Sequence, residues 1–156
     1  MILSQAEKAV AHHIFIPQKP VVVMARSNPE ADCFQDFCVS QNIPMLRRLG
    51  GGGAVVLYPG SLVVSIGMWV DRYFDNPLFF RLFNKTFIAF FSQHLGIDGF
   101  YQDGISDLVY QEKKCLGSSL FRSKNYLLYQ GSVLVTSDIP LINQCLAHPS
   151  REPNYR

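Results

Sequence analysis

Arg47-Arg48-Leu49-Gly50-Gly51-Gly52-Gly53-Ala54-Val55 is the stretch on which the reading of this chain turns. Glycine inside a regular element costs about 0.5–1 kcal/mol relative to alanine, so four in a row imply a backbone that needs positive φ or very close approach. A bound ligand is one reason for such a backbone. Unhindered N–H groups can meet phosphate or carbonyl oxygens, and a neighbouring arginine can pair with an anion or lie along an acyl chain. The plain alternative is a flexible hairpin loop flanked by two solvated arginines. Pro44 to Arg48 before the glycines and Ala54 to Leu57 after them have strand character, so the local picture is strand, glycine loop, strand.

Working outward, Ser4 to Phe15 contains strong helix formers without Gly or Pro, and Pro17 ends it, which predicts a helix. Val21 to Ala25 is a β-branched run leaving through the turn Arg26-Ser27-Asn28-Pro29, and Pro29, Glu30 and Asp32 open a predicted helix to about Ser40. After a Pro59-Gly60 turn, Leu62 to Trp69 reads as a central strand. From Asn76 to Leu95, Phe79, Phe83, Phe87, Phe90 and Phe91 recur at helical spacing among Arg81, Lys85 and Gln93, predicting a long helix whose Phe stripe is a core face. Asp107 to Gln111, Lys114 to Phe121 and Tyr126 to Thr136 predict a three-strand antiparallel meander, and Asp138 caps a last helix, Ile139 to Leu146. Strands mixed with helices without βαβ alternation point to an α+β fold.

Composition narrows the function classes. With 156 residues and 48% hydrophobic content, residues 1–156 read as one domain with one continuous core. A net charge of +2 without a basic block lacks the footprint of a nucleic-acid binder. The apolar runs fall well short of the roughly 20 residues a membrane-spanning helix needs, and the first residues lack the pattern of a signal peptide. Cys33, Cys38, Cys115 and Cys145 form no CxxC pair and no zinc spacing with the histidines, so a reduced cytoplasmic protein is expected.

A second constellation is Asp107-Leu108-Val109-Tyr110-Gln111-Glu112-Lys113-Lys114-Cys115-Leu116-Gly117-Ser118-Ser119. A carboxylate and a lysine on two strands of one short hairpin can stand beside one pocket, Asp107 for a metal ion and Lys114 for phosphate or carbonyl oxygen. Gly117 lets a ligand approach the strand. Taken alone, a lysine pair in a hairpin is usually a solvated turn, so the signal lies in the combination.

Together these segments resemble the lipoate-protein ligase family, whose motifs run RRxSGGGAV, then NDxV followed by KxxGS, then an HHG-like strand. Arg26 to Pro29 matches the family's GRxQNP-like loop in position, Ser106 to Val109 and Lys114 to Ser118 match the middle motifs, and Tyr129-Gln130-Gly131-Ser132 stands at the last. The resemblance implies a mixed, largely antiparallel sheet flanked by helices, like the catalytic domain of biotin and lipoyl protein ligases. It also implies activation of lipoate with ATP and Mg2+ to lipoyl-adenylate, then transfer to a lysine of a lipoyl domain of 2-oxoacid dehydrogenases or of the glycine-cleavage H protein. By position, Arg48, Gly51, Gly52, Gly53, Ala54 and Val55, with Gly117 and Ser118, would bind acyl and phosphate groups. Lys114 would be catalytic, and Asp107 would help hold magnesium. Relative to the family pattern the first strand and the C-terminal accessory domain are expected to be lacking, and some single-domain members rely on a separate accessory protein.

The sequence departs from the family at Gly50, Leu57, Tyr58, Ser61, Ser106 and Gln130, where the motifs carry polar residues. Two further classes therefore stand beside ligation: octanoyl transfer from acyl carrier protein, and a non-catalytic homologue that binds an acyl group or a lipoyl domain. The transferases use an acyl-thioester cysteine. Gly99 to Ser106, where one transferase group keeps that cysteine, has none, and Cys115, next to Lys114, is expected to face the core.

Overall fold

The computed structural model describes residues 10–71 and 75–147. The chain opens with β1 (Ala11–Phe15) and β2 (Val21–Met24), makes a 3-10 turn over Glu30–Asp32, and continues through α1 (Gln35–Ser40), β3 (Met45–Arg47), β4 (Val55–Leu57) and β5 (Ser61–Trp69). After α2 (Asn76–Leu95) come β6 (Tyr101–Asp103), β7 (Asp107–Tyr110), β8 (Lys113–Ser123), β9 (Tyr126–Leu134) and α3 (Ile139–Cys145). Six strands form one antiparallel sheet in the order β1-β5-β9-β8-β7-β6. A smaller sheet, β3-β2-β4, pairs β3 parallel and β4 antiparallel to β2. The expected mixed, largely antiparallel α+β architecture is the one observed.

The helix predicted from Asn76 to Leu95 has those bounds because its ends are chemically marked. Asp75 accepts from the Leu78 N–H at 3.3 Å, Pro77 sits in the first turn, and Gly96 closes the helix in the left-handed region at φ 65°. Phe79, Phe80 and Phe83 are buried against Leu120, Leu127 and Tyr129, each ring contributing about 1.5–3 kcal/mol by burial. Phe90 departs from the expected core stripe: it is 49% exposed, edge-on to Phe91 and beside His94.

Two predicted helices are corrected. Residues 1–9 of the expected Ser4–Phe15 helix lie outside the described residues, and Ala11–Phe15 is a strand paired with β5 from Ala11↔Gly67 to Phe15↔Val63. The open edge of β5 needs backbone partners, and that non-local demand outweighs local helix propensity. All five residues of β1 are exposed, so no buried face leaves an alternating pattern to read.

The helix expected from Pro29 to Ser40 is split into the 3-10 turn and α1. Cys33 bridges Leu146, Phe34 N–H donates to the Cys145 carbonyl at 2.9 Å, and Ala147 N–H donates to the Asp32 carbonyl at 3.0 Å. These bonds to the segment at α3 require extended backbone at Cys33. Cys33, Cys38 and Cys145 consequently share one core cluster with Val22, Met24, Ile43, Val56 and Tyr58. The expected meander also gains a fourth strand, β6, beside β7. Among the described residues, no helix is long and apolar enough to cross a membrane.

Candidate functional site

The glycine run links β3 to β4, which do not pair with each other but flank β2, so it is not a hairpin loop. Its shape is held by the two arginines before it. Arg48 donates from Nη1 to the Val23 carbonyl (3.1 Å) and from Nη2 to the carbonyls of Gly51 (2.8 Å) and Gly53 (2.7 Å). Arg47 donates to the Ala25 and Asn28 carbonyls at 3.2 and 2.9 Å. Both guanidinium groups are thus struts for backbone oxygens, Arg48 half-buried and Arg47 exposed. Burial lowers the Arg48 pKa from its usual 12.5, and its Nε is buried without a hydrogen-bond partner among the described residues. Between the two pinned carbonyls Gly52 adopts φ 99°, which side chains rarely tolerate.

The second wall is the β7–β8 hairpin. Its turn places Gln111 and Glu112 at φ 48° and 60°, both left-handed as a tight two-residue hairpin requires. The pairing then slips: Val109 opposes Lys114, whereas Leu108 opposes Leu116, leaving Cys115 as the extra residue of a bulge. Strict alternation would put Lys114 and Gly117, three residues apart, on opposite faces. The bulge brings them to the same face. There the Lys114 Nζ meets the Asp107 Oδ2 at 2.7 Å, with the two side chains 19% and 14% exposed. The Ser106 hydroxyl donates to Asp107 Oδ1 at 3.3 Å, and the Ser118 hydroxyl donates to the Ser106 carbonyl at 3.0 Å.

Both walls open on one cavity of about 270 Å³. Arg48, Gly52, Gly53, Ala54 and Val55 line it from one side and Asp107, Lys114, Gly117 and Ser118 from the other. Gly51 does not line it; its carbonyl is turned to Arg48. Val23, Leu57 and Val63 add apolar surface, while Ser119, Gln130, Gly131 and Ser132 bring polar strand surface. Val23 and Val63 carry no sequence signal, because nothing distinguishes a lining valine from a core valine. A Cβ at Gly117 would stand 2.9 Å from Lys114 Cε and 3.0 Å from its Nζ, so the lysine lies where any larger residue would place its side chain.

Asp107 is the single carboxylate lining this cavity, and among the described residues no cluster of three or more metal-ligating side chains occurs. The cysteines are elsewhere. Cys115 points away from Lys114, its Sγ donating to the Leu108 carbonyl at 3.2 Å, and burial pushes its pKa up to about 11. Cys145 is pushed up to about 12 by burial and by the neighbouring Cys38.

Residues 3–155 match the family described as the lipoyl protein ligase A/B catalytic domain. The chain is similar to the inactive lipoate–protein ligase 2 of Plasmodium falciparum (24% identity, 88% of this chain and 44% of the relative). It is likewise similar to lipoate–protein ligase 1 of Staphylococcus aureus (24% identity, 93% of this chain and 43% of the relative). It therefore spans less than half the length of these curated relatives. Among solved structures, a lipoate-protein ligase A bound with ATP superposes with TM-score 0.78 at 23% identity, covering 90% of this chain and 60% of the other. A bipartite lipoate protein ligase of Thermoplasma acidophilum, described with its E2 lipoyl domain, superposes with TM-score 0.78 at 23% identity, covering 90% and 55%. At these identities the superpositions establish the fold.

Proposed function

The chain belongs to the family of lipoyl protein ligase A/B catalytic domains, and from that premise we propose that it binds lipoate in the cavity between the glycine loop and the β7–β8 hairpin. In this reading it activates the carboxylate with ATP and passes the acyl group to a lysine of a lipoyl domain or H protein. One observation carries it: the glycine loop and the Lys114–Asp107 pair, about sixty residues apart in the sequence, line one cavity.

In the first step a carboxylate oxygen of lipoate attacks the α-phosphorus of ATP and expels pyrophosphate; in the second the lysine amine attacks the acyl carbonyl and expels AMP. Negative charge develops on the phosphoryl oxygens and the departing pyrophosphate in the first, and on the carbonyl oxygen and the departing AMP phosphate in the second. Lys114 supplies a positive donor for it, held in place before reaction by Asp107. The valines and Leu57 take the acyl chain, and the glycine loop lets phosphate approach the backbone. A magnesium ion is usually held by one or two carboxylates plus substrate phosphates. The donor set fits that pattern, with Asp107 as the protein's carboxylate, and the ion would neutralise phosphate charge.

The test is to incubate the protein with lipoate, ATP, Mg2+ and a lipoyl domain and to weigh the products. Lipoylated domain supports the reading; lipoate binding without adenylate or transfer would replace it with a second one, a binding homologue without turnover. That second reading draws on Leu57, Tyr58 and Gln130 at family polar positions and on the inactive relative. An octanoyl transfer through a cysteine has less support, because no cysteine lines the cavity.

A further inference from the structure

Tyr129 is fully buried on the sheet face that α2 covers. Its ring stacks on Phe83, with centroids 4.0 Å apart and planes 23° from parallel, and lies 6.1 Å from Phe87. Packing of this kind aims the hydroxyl in one direction. It ends beneath the cavity: a Cβ at Gly131, a lining residue, would stand 2.8 Å from Tyr129 Oη. Yet that oxygen has no hydrogen-bond partner among the described residues.

A buried, unsatisfied hydroxyl costs about 1–3 kcal/mol, and phenylalanine would keep the ring and avoid the cost. Packing alone therefore does not account for a tyrosine here. Burial drives its pKa far above the usual 10.0, with hydrogen bonding to the Ser118 side chain pulling in the opposite direction, so the group stays neutral. Ser118 sits opposite Gly131 in the β8–β9 ladder and uses its own proton on the Ser106 carbonyl, which leaves its oxygen able to accept. The two hydroxyls are neighbours, close enough for Ser118 to act on the Tyr129 oxygen although no well-formed bond joins them. From that serine the bonds run through Ser106 to Asp107 and on to Lys114.

Resting on the acyl-binding reading above, we infer that Tyr129 is a positioning residue for the Asp107–Lys114 pair. When an acyl ligand seats against Gly117 and Ser118, the Tyr129 hydroxyl donates to the Ser118 oxygen and stiffens the chain of bonds that holds Asp107. The ordering energy is thereby realised in the liganded state, when Lys114 must be in place.

The experiment is Tyr129→Phe, alone and combined with Ser118→Ala. Tyr129→Phe is expected to melt no lower than wild type and to bind lipoate within about twofold. Its rate of acyl transfer is expected to fall about tenfold, at the low end of the 10–100-fold lost when outer partners of metal ligands are removed. The double variant should be no slower than Ser118→Ala, because both act through one chain of bonds. An unchanged transfer rate, or losses that multiply in the double variant, would overturn the inference. A second readout does not need turnover: with lipoate bound, the NMR signal of 13C-methylated Lys114 should shift in Tyr129→Phe, and an unmoved signal also overturns it. If wild type binds lipoate but transfers nothing, the ligase reading fails while the NMR signal still decides the positioning role; if wild type does not bind lipoate, both fall.

Discussion

Gly117→Ala probes the site with a single methyl group. The new Cβ would lie 2.9 Å from Lys114 Cε and 3.0 Å from Nζ, where ordinary contacts begin near 3.4 Å, so the lysine must move by about half an ångström to one ångström. The fold should accept this easily, since the obstacle is the far end of a flexible side chain and Gly117 is not at positive φ. Alanine in a compatible backbone restricts the unfolded chain and stabilises by about 0.4–1 kcal/mol. At about 2–4 °C per kcal/mol for a chain of this size, Tm should rise by roughly 1–4 °C. Function should go the other way. The Lys114 ammonium leaves its 2.7 Å contact with Asp107, and functional groups tolerate about 0.5 Å of displacement, with about 1 Å costing up to 100-fold. The expected outcome is a variant as stable as wild type or more so, with lipoyl transfer slowed about 10- to 100-fold at saturating lipoate. Thermal denaturation and single-turnover mass spectrometry of the acceptor domain measure the two. Full transfer rate in a folded Gly117→Ala protein would refute the claim that Lys114 acts from this position; unfolding would refute the claim that only the lysine is displaced.

Gly52→Val forces a branched side chain to φ 99° with its Cβ 3.1 Å from Arg48 Nη2; about 1–3 kcal/mol of strain should weaken lipoate or lipoyl-adenylate binding about tenfold or more in a folded protein, and wild-type affinity by calorimetry would remove the loop from the site. Lys114→Ala should slow transfer at least about 100-fold, and Lys114→Arg should not restore it because a planar fork cannot replace a compact ammonium; unchanged rates would end the assignment. Cys115 keeps its proton to about pH 11 when folded but ionises near its usual 9.0 when unfolded, so its contribution is complete below pH 9 and lost as pH rises through 11. Urea midpoints should therefore decline above pH 9 more steeply for wild type than for Cys115→Ser, and parallel profiles would contradict this. A folded variant with all four cysteines replaced should keep whatever transfer activity wild type has, since none lines the cavity; an octanoyl thioester on Cys115 or Cys145 that chases into a lipoyl domain would reverse that.

The features legible in the sequence were those whose cause is local. Helix α2 was legible from its Phe spacing, a short-range signal, and in the structure the Asp75 cap and Gly96 close the same span. The glycine run and the Asp107…Lys114…Gly117 spacing marked a candidate site for a similar reason: backbone freedom and charge pairing across a hairpin depend on residue type and separation. What the chain does with distant partners was not legible. Ala11–Phe15 became a strand because the edge of β5 needed one, and the helix at Cys33 broke because α3 returns beside it. The same holds inside the site. Arg48 lines the cavity, but that its guanidinium is held by the carbonyls of Val23, Gly51 and Gly53 is written in no local pattern, and the Tyr129 hydroxyl buried beneath Gly131, without a well-formed hydrogen bond among the described residues, has no mark in sequence. The bulge at Cys115 reverses the alternation of β8 and turns Lys114 toward Asp107. Periodicity and turn chemistry are written in neighbouring residues, whereas register, edge pairing and the partners of buried polar groups are chosen only when strands remote in sequence compete for the same hydrogen bonds.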